Sequence, residues 1–136
     1  MTQHLFVYGT LLSDGGHPMH DVLSKNAHLV GGAYIVGRLY QVHHYPGAVV
    51  SDDPNERVYG EAYALDRPAE TLAALDDYEG CGPGAAQPVE FARSLQRVYR
   101  RDGNSIEAWV YLYNRPIGNA PRILSGHFLE YAAIAP

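Results

Sequence analysis

Residues 4–9 alternate, with His4, Phe6 and Tyr8 on one side and Leu5 and Val7 on the other. This period of two predicts a strand that ends at Tyr8. Residues 13–18, Ser-Asp-Gly-Gly-His-Pro, have the composition of a loop, and a short helix is predicted over roughly residues 20–25. Residues 27–41 are rich in β-formers but are interrupted by Gly31, Gly32 and Gly37, which predicts bulges or sharp bends of the kind found in a small curved barrel. Tyr45-Pro46-Gly47 is a turn signal, after which Val49 and Val50 lead into another loop. Residues 58–65 alternate as a strand. Asp66 followed by Pro68 then opens a helix that runs to Tyr78 or Glu79. Beyond a glycine-rich connection at 81–86, residues 89–101 and 105–114 read as two strands joined by the hairpin turn Asp102-Gly103-Asn104. Residues 124–131 predict one more short helix.

Curved strands, one well-marked helix and glycine breaks predict a small mixed α+β domain built around an open or closed barrel. The 136 residues, 46% of them apolar, match one domain spanning 1–136 with a single core; the chain has no internal repeat, low-complexity tract or linker. A formal charge of −5 without a basic run argues against nucleic acid and anionic membrane surfaces, and leaves a small molecule as the expected partner. The single cysteine, Cys81, excludes an internal disulfide. The start Met-Thr-Gln-His-Leu lacks the pattern of a signal peptide, and no apolar run approaches the roughly 18 residues of a membrane span. The expected location is therefore cytoplasmic. The oligomeric state is left open.

Two segments carry candidate chemistry. In Phe6-Val7-Tyr8-Gly9-Thr10-Leu11-Leu12 a strand runs into a small-residue turn, where consecutive amides from Gly9 onward can converge on a carboxylate or oxyanion; an ordinary strand-to-loop turn has the same composition. In Leu75-Asp76-Asp77-Tyr78-Glu79-Gly80 the helical period sets Leu72, Leu75, Asp76 and Glu79 within about 100° of arc and turns Asp77 away. A carboxylate on an apolar face is desolvated, which raises its pKa toward a value useful for proton transfer. The same period is compatible with a frayed helix end whose glutamate turns to solvent. Glu107, Trp109, Tyr111 and Tyr113 share one strand face, and aromatics there serve as core, wall or pocket. The histidines at 17 and 20 and the pair His43-His44 lack a carboxylate or cysteine framework at ligand spacing, so no metal or other cofactor is expected. No activating base is assignable to Cys81.

The order Tyr-Gly-Thr-Leu at 8–11, Tyr-Pro-Gly-Ala at 45–48, Leu-Asp-Asp-Tyr-Glu-Gly at 75–80 and Ala-Trp-Val-Tyr at 108–111 resembles the gamma-glutamylcyclotransferase-like family, in its AIG2-like and YtfP-like branch. The resemblance spans residues 6 to about 114. It implies a mostly antiparallel β-barrel flanked by short helices, with a pocket at one end. It also implies cleavage of a γ-glutamyl amide, in which the substrate's own α-amine attacks its γ-carbonyl to give 5-oxoproline and a free amine. Glu79 matches the general acid/base; Tyr8, Gly9, Thr10 and Leu11 match the loop that holds the glutamyl moiety. Pro46 and Gly47 would shape the rim, and Tyr113, in preference to Tyr111, would contribute to the pocket. No cofactor or metal is implied, and the leaving amine is left unspecified. A non-catalytic small-molecule-binding module of the same fold is the alternative. The chain departs from its relatives' Tyr-x-Arg at Phe91-Ala92-Arg93, where a hydroxyl is absent, and Cys81-Gly82-Pro83 is a local sequence of its own. Arg93 is either an organiser of nearby carboxylates or an exposed strand arginine, and Asp76 a local cap or ion-pair partner.

Overall fold

The computed structural model describes residues 2–9, 19–82, 84 and 87–128. In chain order its elements are β1 (Gln3–Val7), α1 (Met19–Asn26), β2 (Ala27–Gln41), β3 (Pro46–Val50), β4 (Arg57–Leu65), α2 (Pro68–Glu79), β5 (Phe91–Arg100) and β6 (Ser105–Tyr113). The strands run in the order β3-β2-β4-β1-β6-β5, and a further pairing of β5 with β2, at Ala33–Arg100 and Tyr34–Tyr99, closes β2, β4, β1, β6 and β5 into a five-stranded barrel. The pairings are antiparallel except for β1 beside β6. The expected small, mostly antiparallel barrel with flanking short helices is the architecture found. Among the described residues no helix is long and apolar enough to cross a membrane.

β2 is one continuous 15-residue strand, and the glycine breaks act within it rather than ending it. Its register against β4 shifts between Leu29 and Gly31, a bulge that bends the strand so that it can serve β4, β3 and β5 in turn. The segment read as a turn leading into a loop at 45–50 differs: Pro46 opens β3, which pairs with residues 37–41 of β2. A proline at the first residue of an edge strand loses no ladder bond that the sheet needs. The hairpin at 102–104 forms as expected, with the Asp102 carboxylate accepting the Asn104 N–H at 2.9 Å. Of the expected loop at 13–18, nothing falls within the described residues. The expected C-terminal helix does not begin at 124, because residues 124–126 form a turn with Gly126 at φ 72°, and beyond Phe128 it lies outside the described residues.

Two apolar cores result, and β1 contributes to both. Phe6 and Tyr8 point into the barrel with Ile35, Leu39, Val58, Ala62, Val98 and Val110. Leu5 and Val7 point outward, where α1 and α2 cover them with Leu23, Leu72 and Leu75. The close approach of β4 to β1 depends on Gly60, where a Cβ would stand 2.0 Å from the Val7 carbonyl oxygen and 2.9 Å from the Phe6 ring. The obstacle is backbone and cannot rotate away, so Gly60→Ala is expected to lower the unfolding free energy by about 3 kcal/mol. Urea denaturation checks this: a midpoint equal to that of the unaltered protein would mean that β1 and β4 can separate freely.

Candidate functional site

Pro68 starts α2 in its first turn, where a missing N–H costs nothing, and Gly80 ends it in the left-handed conformation at φ 78°. The N–H groups of Gly80 and Cys81 bond back to the carbonyls of Asp77 (3.3 Å) and Asp76 (2.9 Å), a Schellman closure that fixes the last turn. Glu79 is the last residue of that turn. Leu72 and Leu75 on its side of the helix are buried and Asp77 is exposed, so the helical period directs Glu79 inward, as its spacing predicts. The frayed-end alternative does not describe this helix.

Glu79 faces a cavity of about 280 Å³ whose walls are Phe6 to Gly9 from the end of β1, residues 44–46 before and at the start of β3, Tyr78 of α2, Glu90 and Phe91 at the start of β5, and Tyr111 of β6. Among the described residues Glu79 has no hydrogen-bond or ion-pair partner. Burial, followed by the charge of Glu90, raises its pKa from an ordinary 4.5 to about 7. The carbonyl end of the α2 dipole acts in the same direction. Glu90 differs: the Tyr45 hydroxyl donates to its carboxylate at 2.6 and 2.8 Å. Two carboxylates thus share one cavity in unlike environments, the arrangement by which a protein sets one acid apart from another.

A chain of hydrogen bonds holds the walls. Tyr8 donates to the Tyr111 carbonyl (2.5 Å) and accepts from the Ala48 N–H (3.1 Å), tying β1, β6 and β3 together beneath the cavity. Tyr111 in turn donates through its own hydroxyl to Asp76 Oδ1 (2.6 Å) on α2. Arg93 of β5 completes the knot, donating to Asp76 Oδ1 at 2.8 Å and Oδ2 at 3.1 Å with its guanidinium 4.4 Å above the Trp109 ring. Burial, then the bond to Asp76, pushes the Tyr111 hydroxyl far above the usual phenol range, so it stays a donor. Asp76 lies one turn before Glu79; the bonds from Tyr111 and Arg93 hold the end of α2 against the barrel.

Of the residues anticipated for the site, Glu79, Tyr8, Gly9 and Pro46 line the cavity. Thr10 and Leu11 lie outside the described residues. Gly47 and Tyr113 pack on each other instead: a Cβ at Gly47 would stand 2.9 Å from the Tyr113 Cβ, and the Tyr113 ring meets Phe91 edge-on at 5.6 Å. Tyr111, not Tyr113, lines the cavity on this strand face, because the cavity lies level with the end of β1, where Tyr8 reaches the Tyr111 carbonyl. Tyr8 presents its ring, since its hydroxyl is committed to backbone. At the position where the resemblance anticipates a tyrosine, Phe91 presents a bare ring; a phenolic hydroxyl in this wall belongs to Tyr45, whose ring lies 5.9 Å from that of Phe91. Arg93 proves to be the carboxylate partner rather than an exposed strand arginine, and the side-chain partners of Asp76 come from β5 and β6 together with the nearby Cys81 thiol, 3.8 Å from Oδ1. Tyr45 and Glu90 were not anticipated. They lie 45 residues apart, in segments with no periodicity to orient them.

The family model for gamma-glutamyl cyclotransferase, AIG2-like, matches residues 5–130. The chain belongs to this family. The gamma-glutamylcyclotransferase family protein YtfP of Escherichia coli K12 is 37% identical over 128 residues, covering 93% of this chain and 96% of that one. Among solved structures, the solution NMR structure of ytfP from Escherichia coli has a TM-score of 0.64 at 34% identity, over 95% of this chain and 98% of that one. An AIG2-like protein from Mus musculus has a TM-score of 0.68 at 28% identity, over 89% and 85% respectively. The AIG2-like family therefore accounts for the barrel, and the four motifs that carried the resemblance all lie within the matched span.

The raised pKa of Glu79 has a consequence for stability. The folded protein holds this proton where the unfolded chain has released it, so the contribution is fully present below about 4.5 and is lost as pH rises toward about 7. Stability is expected to fall over this window by on the order of 2 kcal/mol more in the unaltered protein than in Glu79→Gln. Paired chemical denaturation curves at pH 5 and pH 8 measure the difference; parallel behaviour of the two proteins would show that the carboxyl group is well solvated.

Proposed function

We propose that the protein is a γ-glutamyl cyclotransferase that releases 5-oxoproline and a free amine from a γ-glutamyl amine or amide, with Glu79 as general acid/base. The observation that carries this reading is a single carboxyl group without a hydrogen-bond partner among the described residues, directed into the cavity with its pKa raised to about 7. Such a group accepts a proton and returns it at neutral pH, which is the demand this reaction makes. The α-amine of the bound substrate attacks its own γ-carbonyl, forming the new C–N bond. Glu79 takes the proton that the ammonium sheds and delivers it to the departing nitrogen as the old C–N bond breaks. Because the nucleophile belongs to the substrate, the protein supplies confinement and proton transfer; confinement in a well-oriented pair lowers a barrier by several kcal/mol. The glutamyl portion is assigned to the β1 end of the cavity, at Tyr8 and Gly9 and the amides that follow at Thr10 and Leu11, with Pro46 as rim.

Mass spectrometry of 5-oxoproline after incubation with a panel of γ-glutamyl dipeptides and γ-glutamylamines tests the proposal. The unaltered protein is expected to form product at a rate that rises with pH through about 7, and Glu79→Gln to be slower by at least about a hundredfold. Equal rates from the two proteins would remove the mechanism. Tight binding of 5-oxoproline without product from any compound would favour the non-catalytic binding module.

A further inference from the structure

We propose that Glu90 forms a cation-recognising subsite within the cavity, one that takes an ammonium or guanidinium group carried by the leaving amine. The assignment of a leaving amine rests on the cyclotransferase reading; the recognition of a cation does not. Glu90 is only 21% exposed at its side chain, and its carboxylate is fixed from one side by the Tyr45 hydroxyl. The Tyr45 ring is itself wedged among His43, His44 and Phe91, with ring centroids 5.3, 4.9 and 5.9 Å away, so the hydroxyl has no freedom to leave. A carboxylate has about four acceptor positions, and one phenolic proton satisfies one of them. His43 stands at 3.6 Å, beyond hydrogen-bond distance, and is 60% exposed.

No lysine or arginine is among the described residues that line the cavity. The guanidinium of Arg93 is committed to Asp76, and that of Arg115 donates to the Pro88 carbonyl at 3.1 and 3.4 Å. Glu90 is thus a largely buried carboxylate, held in place by Tyr45 and paired among the described residues with the exposed His43 at 3.6 Å; a ligand cation would fill its remaining acceptor positions. The aromatic rings beside it suit an alkylammonium, whose charge is attracted to ring faces while its methylenes pack on them. Glu79 belongs at the scissile amide. With the glutamyl end at Tyr8 and Gly9, the portion of the ligand beyond the amide nitrogen is assigned to the Glu90 side of the cavity. The same charge disfavours a leaving group that bears a carboxylate, so the subsite selects as well as binds.

Calorimetric titration of Glu79→Gln protein, chosen so that ligands persist, distinguishes the possibilities. The probes are three γ-glutamyl amides of equal chain length, made from 1,4-diaminobutane, butylamine and 4-aminobutyrate. The diaminobutane compound is expected to bind about tenfold more tightly than the butylamine compound, and the aminobutyrate compound more weakly than either. Adding Glu90→Gln should bring the three within about twofold of one another, whereas Glu90→Asp, which keeps the charge and controls for folding, should retain the order. Equal affinities in the starting protein, an order unchanged by Glu90→Gln, or no binding of any of the three would overturn the subsite. Incubating the unaltered protein with the same compounds separates the two proposals. A charge order without 5-oxoproline removes the cyclotransferase and keeps the subsite; 5-oxoproline without a charge order does the reverse.

Discussion

β1 is five residues long and over Leu5–Val7 is buried on both faces, and that constraint organises the rest of the molecule. Because side chains alternate along a strand, Phe6 and Tyr8 must fill the barrel while Leu5 and Val7 need a second apolar cover. The helices supply it, α1 through Leu23 and α2 through Leu72 and Leu75. A strand buried on both sides also tolerates no misfit with its neighbours, which is why Gly60 leaves Val7 the room it needs. The end of β1 is where the barrel core and the helix-covered core come together, and the cavity opens there. The site is a product of the packing scheme and not an addition to it.

Within that frame, Asp76 decides how the helix presents Glu79. A carboxylate receiving one phenolic and two guanidinium hydrogen bonds, in a place mostly withdrawn from water, holds α2 to β5 and β6 more firmly than apolar contact alone, since such contact does not specify rotation. The two acidic residues of one helix face therefore have opposite fates. Asp76 is bonded by several donors and acts as an anchor; Glu79, one turn on, has none among the described residues, and burial raises its pKa to about 7. A similar contrast separates Glu79 from Glu90, which Tyr45 holds. Environment, not residue type, divides these carboxylates into one locked by donors, one held by a single phenol and one without a partner among the described residues.

Periodicity and turn chemistry by themselves determined most of the elements and the helix face on which Glu79 lies, because each depends on residues within about one helical turn or one strand repeat of each other. That Glu79 turns inward instead of fraying to solvent was decided by the cavity the fold closes beside it. The motifs in their order determined the family and, through it, the barrel. Tertiary structure alone decided which tyrosine of β6 reaches the cavity: Tyr111 and Tyr113 point the same way, and only the level at which β1 ends distinguishes them. It also decided that Pro46 opens a strand, since an edge strand is defined by the neighbour it finds. The partnerships of Asp76 with Arg93 and Tyr111, and of Tyr45 with Glu90, join residues 17, 35 and 45 positions apart. Contacts at such separations are set by how strands curve and close, and curvature is a property of the folded sheet rather than of any segment read alone.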